Sequence, residues 1–234
     1  MPEHPDVTRL RAEYAERAAH IGQKTDHYSI FNPAQLFIAQ QRQRAILKCL
    51  LCNGFYPLRE RRILELGCGS GGVLLETLSS GATACHLHGV DLLFECVQTV
   101  QQTGHSLLLT CADGQNLPYA AHNFDLTMQF TVVSSVLDDE VKHNLVCELL
   151  RVTRPGRMIL WYDFWLNPTN AQTRGIRPVE TRRLFPNCVI EFYKTTLAHP
   201  IARRMVPFGW ALAVFLESLG IFNTHYLAAI FPKN

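Results

Sequence analysis

The feature that most constrains the fold is the stretch Ile63-Leu64-Glu65-Leu66-Gly67-Cys68-Gly69-Ser70-Gly71-Gly72. A short apolar run ends in glycines that only a cysteine and a serine interrupt. This pattern predicts a buried strand followed by a tight turn that opens a helix. Glycine is needed where the backbone takes a positive φ, or where a ligand lies too close for a Cβ. The stretch therefore predicts a small-molecule site built from main chain at a helix N-terminus.

From residue 61 onward, strand-like runs alternate with amphipathic helical patterns. We predict strands at 61–66, 86–91, 106–110, 124–130 and 157–164, and helices at about 70–80, 93–103 and 138–152. This alternation predicts an α/β fold, a Rossmann-like doubly wound sheet that is mostly parallel. Ligands bind such sheets beyond the carboxyl ends of the strands. Asp91 and Asp113 follow strands at that edge, beside the glycine turn.

Two helices are predicted before the first strand, at 6–20 and from Pro33 to about Cys52. Asn32 can cap the second helix, and proline is favourable in a first helical turn. We expect both helices to cover the cofactor edge as a lid. Tyr28, Phe31 and Asn32 are then candidates for contact with cofactor or acceptor, and Tyr28 and Phe31 are equally compatible with the lid core.

The last third departs from this alternation. A helix at about 177–185 leads to a strand at 188–197, a long apolar helix from about 200 to 219, and a last strand at 224–231. We expect one domain over residues 1–234, with a helical lid at 1–55, a core at 56–198, a helical insertion at 199–223 and the last strand at 224–234.

The glycine turn leaves two ligands to decide between. Gly67, Gly69 and Gly72 fit the G-x-G-x-x-G spacing of dinucleotide sites, and Asp91 lies where a ribose-binding acid is expected. However, Glu65 brings negative charge to the end of the strand, where a pyrophosphate would bind. Asp113 can receive an adenine amine. A ligand with ribose, adenine and an amino acid but no phosphate fits better, which favours S-adenosylmethionine over NAD.

Four segments in order resemble class I S-adenosylmethionine-dependent methyltransferases: ILELGCGSGG, HGVDLL, CADGQNLPYAAHNFDLTMQF and LLRVTRPGRMILWYDF. The resemblance implies that the last strand inserts antiparallel beside the 188–197 strand, and that the helical insertion lies near the acceptor. YSIFNP, QFTVVSSVLD and THYLAAI resemble a bacterial subgroup associated with glycan and natural-product pathways. The leading hypothesis is methyl transfer to a small-molecule hydroxyl of a sugar, glycolipid precursor or natural product. An NAD-dependent oxidoreductase and a non-catalytic cofactor-binding subunit are the alternatives.

The resemblance and the residue chemistry together predict the cofactor site. Its predicted residues are Glu65, Gly67, Cys68, Gly69, Gly71, Asp91, Leu92, Asp113, Gly114, Gln129 and Phe130. Asp91 can accept hydrogen bonds from both ribose hydroxyls or cap the next helix. Asp113 can contact the adenine amine or form an Asx-turn. Glu65 can receive the methionine ammonium or orient the glycine turn.

The implied reaction is an in-line displacement at a sulfonium methyl, for which positioning and desolvation supply much of the rate. A hydroxyl acceptor also needs a general base. Asp163, at the end of the fifth strand, is the candidate base, with a turn or cap residue as the alternative. Tyr162 is predicted to hydrogen-bond the acceptor or to pack in the core. Arg174 is the candidate for binding an anionic acceptor, against the alternative of a solvated arginine-rich face.

Composition limits the classes of partner and the compartment. The 22 basic and 20 acidic residues give a net charge of +2, too balanced to indicate nucleic-acid binding. The N-terminus lacks the apolar region of a signal peptide, and the cysteines suit free thiols, so we predict a cytoplasmic protein. Cys49-x-x-Cys52 and Cys85-His86-x-His88 could bind zinc, but buried thiols are favoured and no metal is predicted.

The apolar segment from Val206 to Phe222 is too short to span a bilayer. Its predicted role is a lid packed against the core. A lid over an apolar acceptor, an oligomer surface and a membrane-surface helix remain alternatives.

Overall fold

The computed structural model describes residues 4–20, 29–166 and 172–233, the side chains of residues 17–20 excepted. The strands are β1 (Ile63–Leu66), β2 (Leu87–Asp91), β3 (Leu108–Cys111), β4 (Phe124–Phe130), β5 (Thr153–Phe164), β6 (Cys188–Leu197) and β7 (Asn223–Pro232). They form one seven-stranded sheet in the order β3-β2-β1-β4-β5-β7-β6. Neighbours among β1 to β5 pair in parallel, and β7 runs antiparallel to both β5 and β6. The predicted fold class and the antiparallel last strand are confirmed.

The helices are α1 (Pro5–His20), α2 (Pro33–Cys52), α3 (Gly72–Ser79), α4 (Phe94–Gln101), α5 (Asp139–Val152), α6 (Pro178–Leu184), α7 (His199–Met205) and α8 (Trp210–Ser218). Asn32 caps α2, since its side-chain oxygen accepts the amide of Ala34 at 3.0 Å. The long helix predicted at 200–219 is instead two helices. Pro207 has no amide to continue α7, and the amides of Phe208 and Gly209 both close back onto the carbonyl of Met205.

The sheet is buried on both faces, which explains its continuous apolar strands. In β5, Ile159 and Trp161 pack into one core cluster, whereas Met158 and Leu160 pack into the cluster on the opposite face. A third, smaller cluster joins α2 to α7 and α8 around the fully buried Phe37. The helical insertion therefore has its own contact surface with α2.

Three further observations concern the whole described chain. No helix within it is long and apolar enough to cross a bilayer. No group of three or more His, Cys, Asp or Glu among the described residues is placed to hold a metal ion. The cysteines are free thiols, but the preference for buried thiols does not hold throughout, because Cys52 and Cys85 are exposed.

Candidate functional site

The glycine turn between β1 and α3 adopts conformations that favour glycine. Gly67, Gly69 and Gly71 have φ of +70°, +50° and +80°. The amide of Gly67 donates to the carbonyl of Val90 at 2.7 Å, which ties the turn to the end of β2. A Cβ at Gly67 would lie 2.3 Å from Cγ2 of Val132. The turn is thus pressed between β2 and the segment that follows β4.

Asp91, at the end of β2, braces this turn. Its Oδ2 accepts the amide of Gly69 at 2.7 Å, and its Oδ1 accepts the amide of Leu93 at 2.9 Å. A carboxylate has about four lone-pair sites, so each oxygen can still accept a further hydrogen bond. Asp91 is nearly buried but reaches the wall of the cleft described below. It can therefore hold the turn and bind a ligand hydroxyl at the same time.

Asp113 follows β3 and also borders the cleft. Its Oδ1 accepts the amide of Gln115 at 2.9 Å, which is the predicted Asx-turn. At the neighbouring Gly114, an added Cβ would lie 2.6 Å from Cδ2 of Leu145 and 2.8 Å from Cδ1 of Leu66. The turn after β3 is therefore closely packed, and Asp113 lies in the wall of the cleft.

The cleft has a volume of about 240 Å³ and lies at the carboxyl ends of β1 to β4. From the predicted cofactor set it is lined by Gly67, Gly69, Asp91, Leu92, Asp113, Gly114 and Phe130. The remaining walls are Val7, Leu10, Tyr14, Leu66, Val90, Leu93, Cys96, Ala112, Thr131, Val132, Ser135, Val136, Val141 and Leu145. None of these described lining residues is Lys, Arg or His. The cleft is largely apolar, and the charged side chains among its described lining residues are two carboxylates, while Arg11 donates to the carbonyl of Leu92 at its edge at 2.6 Å.

Four predicted cofactor residues do not line this cleft: Glu65, Cys68, Gly71 and Gln129. Glu65 is buried on the opposite side of the sheet, with one carboxylate oxygen that has no partner among the described residues. Burial raises its pKa well above the ordinary value, the charge of Arg42 opposes this, and that of Glu76 adds to it. Such a carboxylate has spare capacity to accept a hydrogen bond.

Cys68, Gly71 and Gln129 have structural contacts. Burial raises the pKa of the Cys68 thiol, which is not exposed to the cleft. Gly71 occupies the N-cap of α3 in the left-handed conformation. Gln129 is fully buried, and its side-chain oxygen accepts the amide of Val132 at 3.0 Å. These residues shape the turns around the cleft.

Neither predicted catalytic residue reaches the cleft. Asp163 is fully buried, and its carboxylate accepts the amides of Ser134 at 3.1 Å and Phe164 at 2.9 Å. Burial raises its pKa to about 6, against the lowering effect of these hydrogen bonds. The hydroxyl of Tyr162 is paired at 2.7 Å with that of Thr196. The geometry therefore favours a structural role for both residues: Asp163 holds the segment after β4 through the amide of Ser134 and is not the predicted turn or cap residue after the strand, and Tyr162 is the core tyrosine given as its alternative.

Phe31, Asn32 and Arg174, three of the predicted acceptor residues, do not line the cleft. Phe31 is 94% exposed, and Asn32 caps α2. The guanidinium of Arg174 binds Asp139 at 2.7 Å and Glu180 at 2.9 Å, so two carboxylates already balance its charge. Tyr28 lies outside the described residues.

Of the two helices predicted to cover the cofactor edge, α1 contributes a wall of the cleft and α2 contributes no lining residue. The sequence reasoning did not name the α1 residues concerned, Val7, Leu10 and Tyr14, as site residues. The hydroxyl of Tyr14 pairs with that of Ser135 at 2.9 Å. Asp6 Oδ2 accepts two amides just before α5, those of Leu137 at 2.9 Å and Asp138 at 3.1 Å. These contacts hold α1 across the opening.

On the opposite face of the sheet, the structure brings together two histidines that flank the insertion in sequence. The ring of His225 stacks on Tyr162, with centroids 4.8 Å apart, and lies 5.9 Å from the ring of His199. Burial lowers the pKa of both histidines, that of His225 to about 3, and the charge of Arg42 contributes at His225. Both rings are therefore neutral near pH 7.

Residues 63–156 match the family model of a methyltransferase domain. The fold is similar to that of magnesium protoporphyrin IX methyltransferase from Synechocystis PCC 6803 with bound SAM, at 14% identity and a TM-score of 0.67 over 99% of each chain. An S-adenosylmethionine-dependent methyltransferase from Methanosarcina mazei is similar at 16% identity and a TM-score of 0.56, over 77% of this chain and 97% of that chain. One from Mesorhizobium loti is similar at 16% identity and a TM-score of 0.57, over 79% and 96%.

No curated protein matches the chain. At these identities the solved structures show a shared fold. The match of residues 63–156 to the methyltransferase-domain model confirms the predicted enzyme class, and the solved structures confirm the predicted Rossmann-like architecture.

Proposed function

We propose that this chain transfers a methyl group from S-adenosylmethionine to a small-molecule acceptor. The observation that carries the proposal is the cleft at the carboxyl ends of β1 to β4. It combines an open glycine turn with the carboxylates of Asp91 and Asp113, and none of its described lining residues is basic. A nucleoside that carries a sulfonium and an ammonium charge fits a cleft whose charged described lining residues are both carboxylates better than the negatively charged pyrophosphate of a dinucleotide does.

In this proposal the chain holds the cofactor through residues at three strand ends. Asp91 receives the ribose hydroxyls, Asp113 receives the adenine amine, and the main chain at Gly67 and Gly69 allows close approach. Glu65 is retained from the sequence as the acceptor of the methionine ammonium or as a residue that orients the glycine turn, and its burial away from the cleft fits the second role better. When bound, S-adenosylmethionine supplies a methyl group already activated by a sulfonium charge. The residues of the chain then need to orient the acceptor and exclude water.

The lid role belongs to α1 in this proposal. Val7, Leu10 and Tyr14 cover the cleft, and the anchoring of Asp6 and Tyr14 keeps water out once the ligand is bound. The division into a lid at 1–55, a core at 56–198, an insertion at 199–223 and a last strand at 224–234 is retained as proposed from the sequence, with the α1 contacts in support of its first part. Tyr28, Phe31 and Asn32 are retained as acceptor candidates from the sequence.

For the acceptor we propose a hydroxyl of a sugar, glycolipid precursor or natural product, on the basis of the subgroup resemblance. A hydroxyl needs a base, and Asp163 is the predicted one, although its carboxylate is buried and hydrogen-bonded. Asp163→Asn distinguishes the roles. A base predicts a turnover loss far larger than any loss of stability, whereas the structural role predicts a lower melting temperature with residual turnover in the folded fraction.

Calorimetric titration tests the cofactor proposal. S-adenosylhomocysteine should bind the purified chain and NAD should give no heat, and tight NAD binding without a response to S-adenosylhomocysteine would refute it. The catalytic step is tested by release of S-adenosylhomocysteine across hydroxylated glycans, glycolipid precursors and natural products. Normal cofactor affinity with no transfer to any acceptor would instead indicate a non-catalytic subunit.

A further inference from the structure

The outward face of α8 and its flanking turns is apolar and exposed. Leu212 and Phe215 lie three residues apart on α8, Leu219 follows at its C-cap, and Phe208 precedes it in the turn after α7; these side chains are between 44% and 82% exposed. Ile221, which follows in the turn before β7, is 69% exposed. Single exposed apolar residues are normal on a protein surface, but a stripe of several along one helix and its turns indicates a binding surface.

The opposite face of α8 is already used for packing. Trp210 meets the ring of Phe37 edge-on at 5.2 Å, and Ala213 is fully buried. The carboxylate of Glu217 accepts the amide of Thr196 at 2.8 Å. Because α8 is anchored through this face, the stripe cannot turn inward without breaking the packing. The helix is therefore apolar on both sides, with one side in contact with the protein and the other exposed.

The charges beside the stripe all have one sign. Arg203 and Arg204 are exposed at the end of α7, within a few residues of Phe208. Residues 199–222 contain a single acid, Glu217, and its carboxylate is held against β6. An apolar helix face with arginines at its edge and no outward acid is the composition of helices that lie on anionic membrane surfaces.

Two other occupants fit less well. A two-fold dimer through the stripe would bring the arginines of both copies into one interface, and no outward acid of residues 199–222 would pair with them. A ligand held within the active cleft leaves the stripe uncovered, because no residue of 199–222 is among the described residues that line that cleft. We therefore propose that the stripe formed by Phe208, Leu212, Phe215 and Leu219, with Arg203 and Arg204, docks the protein on an anionic lipid surface.

Cosedimentation with vesicles tests this docking. The wild-type chain should bind vesicles of phosphatidylcholine with phosphatidylglycerol, more weakly at high salt and more weakly still without phosphatidylglycerol. Phe208→Ser with Phe215→Ser should weaken vesicle binding about ten-fold or more, since two phenylalanine side chains no longer transfer from water into the lipid. Arg203→Glu with Arg204→Glu should weaken binding to the anionic vesicles and leave little salt dependence.

The matched control removes two equally exposed apolar side chains elsewhere. Leu51→Ser with Tyr56→Ser, at residues 64% and 70% exposed, should bind vesicles as the wild type does. Leu51 lies on the order of 20 Å along α2 from Phe37, the contact of α8. Affinity for S-adenosylhomocysteine checks that each variant is folded.

Three results would overturn the docking. The first is a wild-type chain that does not bind the anionic vesicles, and the second is a phenylalanine double variant that binds them as tightly as the wild type does. The third is a wild-type dimer that does not bind vesicles and that the double variant converts to monomer, which would make the stripe a subunit interface.

Discussion

At the scale of single residues, Asp91 combines structure with ligand binding. One carboxylate holds the glycine turn through Gly69 and the start of α4 through Leu93, while it borders the cleft. Truncation of this side chain should therefore lower both the affinity for the ligand and the stability of the fold. Measurements on Asp91 therefore have to separate affinity from stability.

Asp91→Ala should weaken S-adenosylmethionine binding about ten-fold or more, because charge-assisted hydrogen bonds are lost. The melting temperature should also fall, since two backbone amides lose their acceptor. Calorimetric titration and thermal unfolding measure the two effects. Glu95→Ala, an exposed acid in the first turn of α4, is the matched control and should change neither. Unchanged affinity in Asp91→Ala would remove this residue from the site.

The contact between Gly67 and Val132 gives a second prediction at this scale. Gly67→Ala introduces a Cβ 2.3 Å from Val132 Cγ2 at a φ of +70°, so both stability and cofactor affinity should fall. Val132→Ala removes the methyl group in the way, and the double variant should recover part of the loss. Urea unfolding of the four proteins gives the coupling energy, about 1 kcal/mol in favour of the double variant. Strictly additive effects would contradict the close approach.

At the scale of elements, α1 decides how closed the cleft is. Its apolar face meets the cleft, and its polar residues bind the segment between β4 and α5. Burial acts to raise the pKa of Asp6, but hydrogen bonds from Arg9 and from the amides of Asp138 and Leu137 outweigh it, so its pKa lies below the ordinary value. Asp6 thus stays ionised, and its contribution to stability is lost only as the pH falls through that lowered pKa.

Asp6→Ala should release α1 from this segment. We expect faster trypsin cleavage at Arg9 and Arg11, several-fold weaker binding of S-adenosylhomocysteine, and less protection by that ligand. Asp6→Asn keeps one acceptor oxygen, so its cleavage rate and its affinity for S-adenosylhomocysteine should lie between those of the wild type and Asp6→Ala. Limited proteolysis with mass spectrometry measures the cleavage. Equal cleavage and affinity in wild type and Asp6→Ala would show that α1 does not act as a lid.

At the scale of the whole molecule, the sheet order gathers the site and also buries histidines. The burial of His225 lowers its pKa from 6.5 to about 3, and burial lowers that of His88 to about 4. The unfolded chain then binds protons more tightly than the folded chain below about pH 6.5, so stability falls as the pH decreases. Asp163, with a raised pKa of about 6, acts in the opposite direction between pH 4 and 6.

His225→Phe should make the protein less sensitive to acid. Phenylalanine keeps the stacking on Tyr162 and Phe164 but has no proton to bind. Between about pH 7 and pH 5 the variant should lose up to about 2 kcal/mol less stability than the wild type. Guanidinium unfolding at both pH values measures this difference. The same loss in both proteins would mean that His225 is not the source of the acid sensitivity.

How much the sequence predicted depends on the range of the interactions. The strands, the glycine turn and the acids at strand ends follow from local patterns, so the fold and much of the cleft could be predicted. The helix break near Pro207 was missed because the apolar periodicity continues across it. That periodicity outweighed the proline, which has no amide for the helical hydrogen bond. For Asp91 and Asp113 the sequence predicted both a structural role and a ligand-binding role as alternatives. Their hydrogen bonds stabilise the turns, and both residues also border the cleft.

The sequence by itself determined the alternation of strand and helix, the glycine turn and the acids beside it, because periodicity and positive φ are properties of neighbouring residues. Tertiary structure decided that α1 lines the cleft, that Asp163 is buried away from it and that Arg174 is already paired. These outcomes depend on contacts between residues far apart in the chain, and local patterns carry no information about which distant surfaces meet.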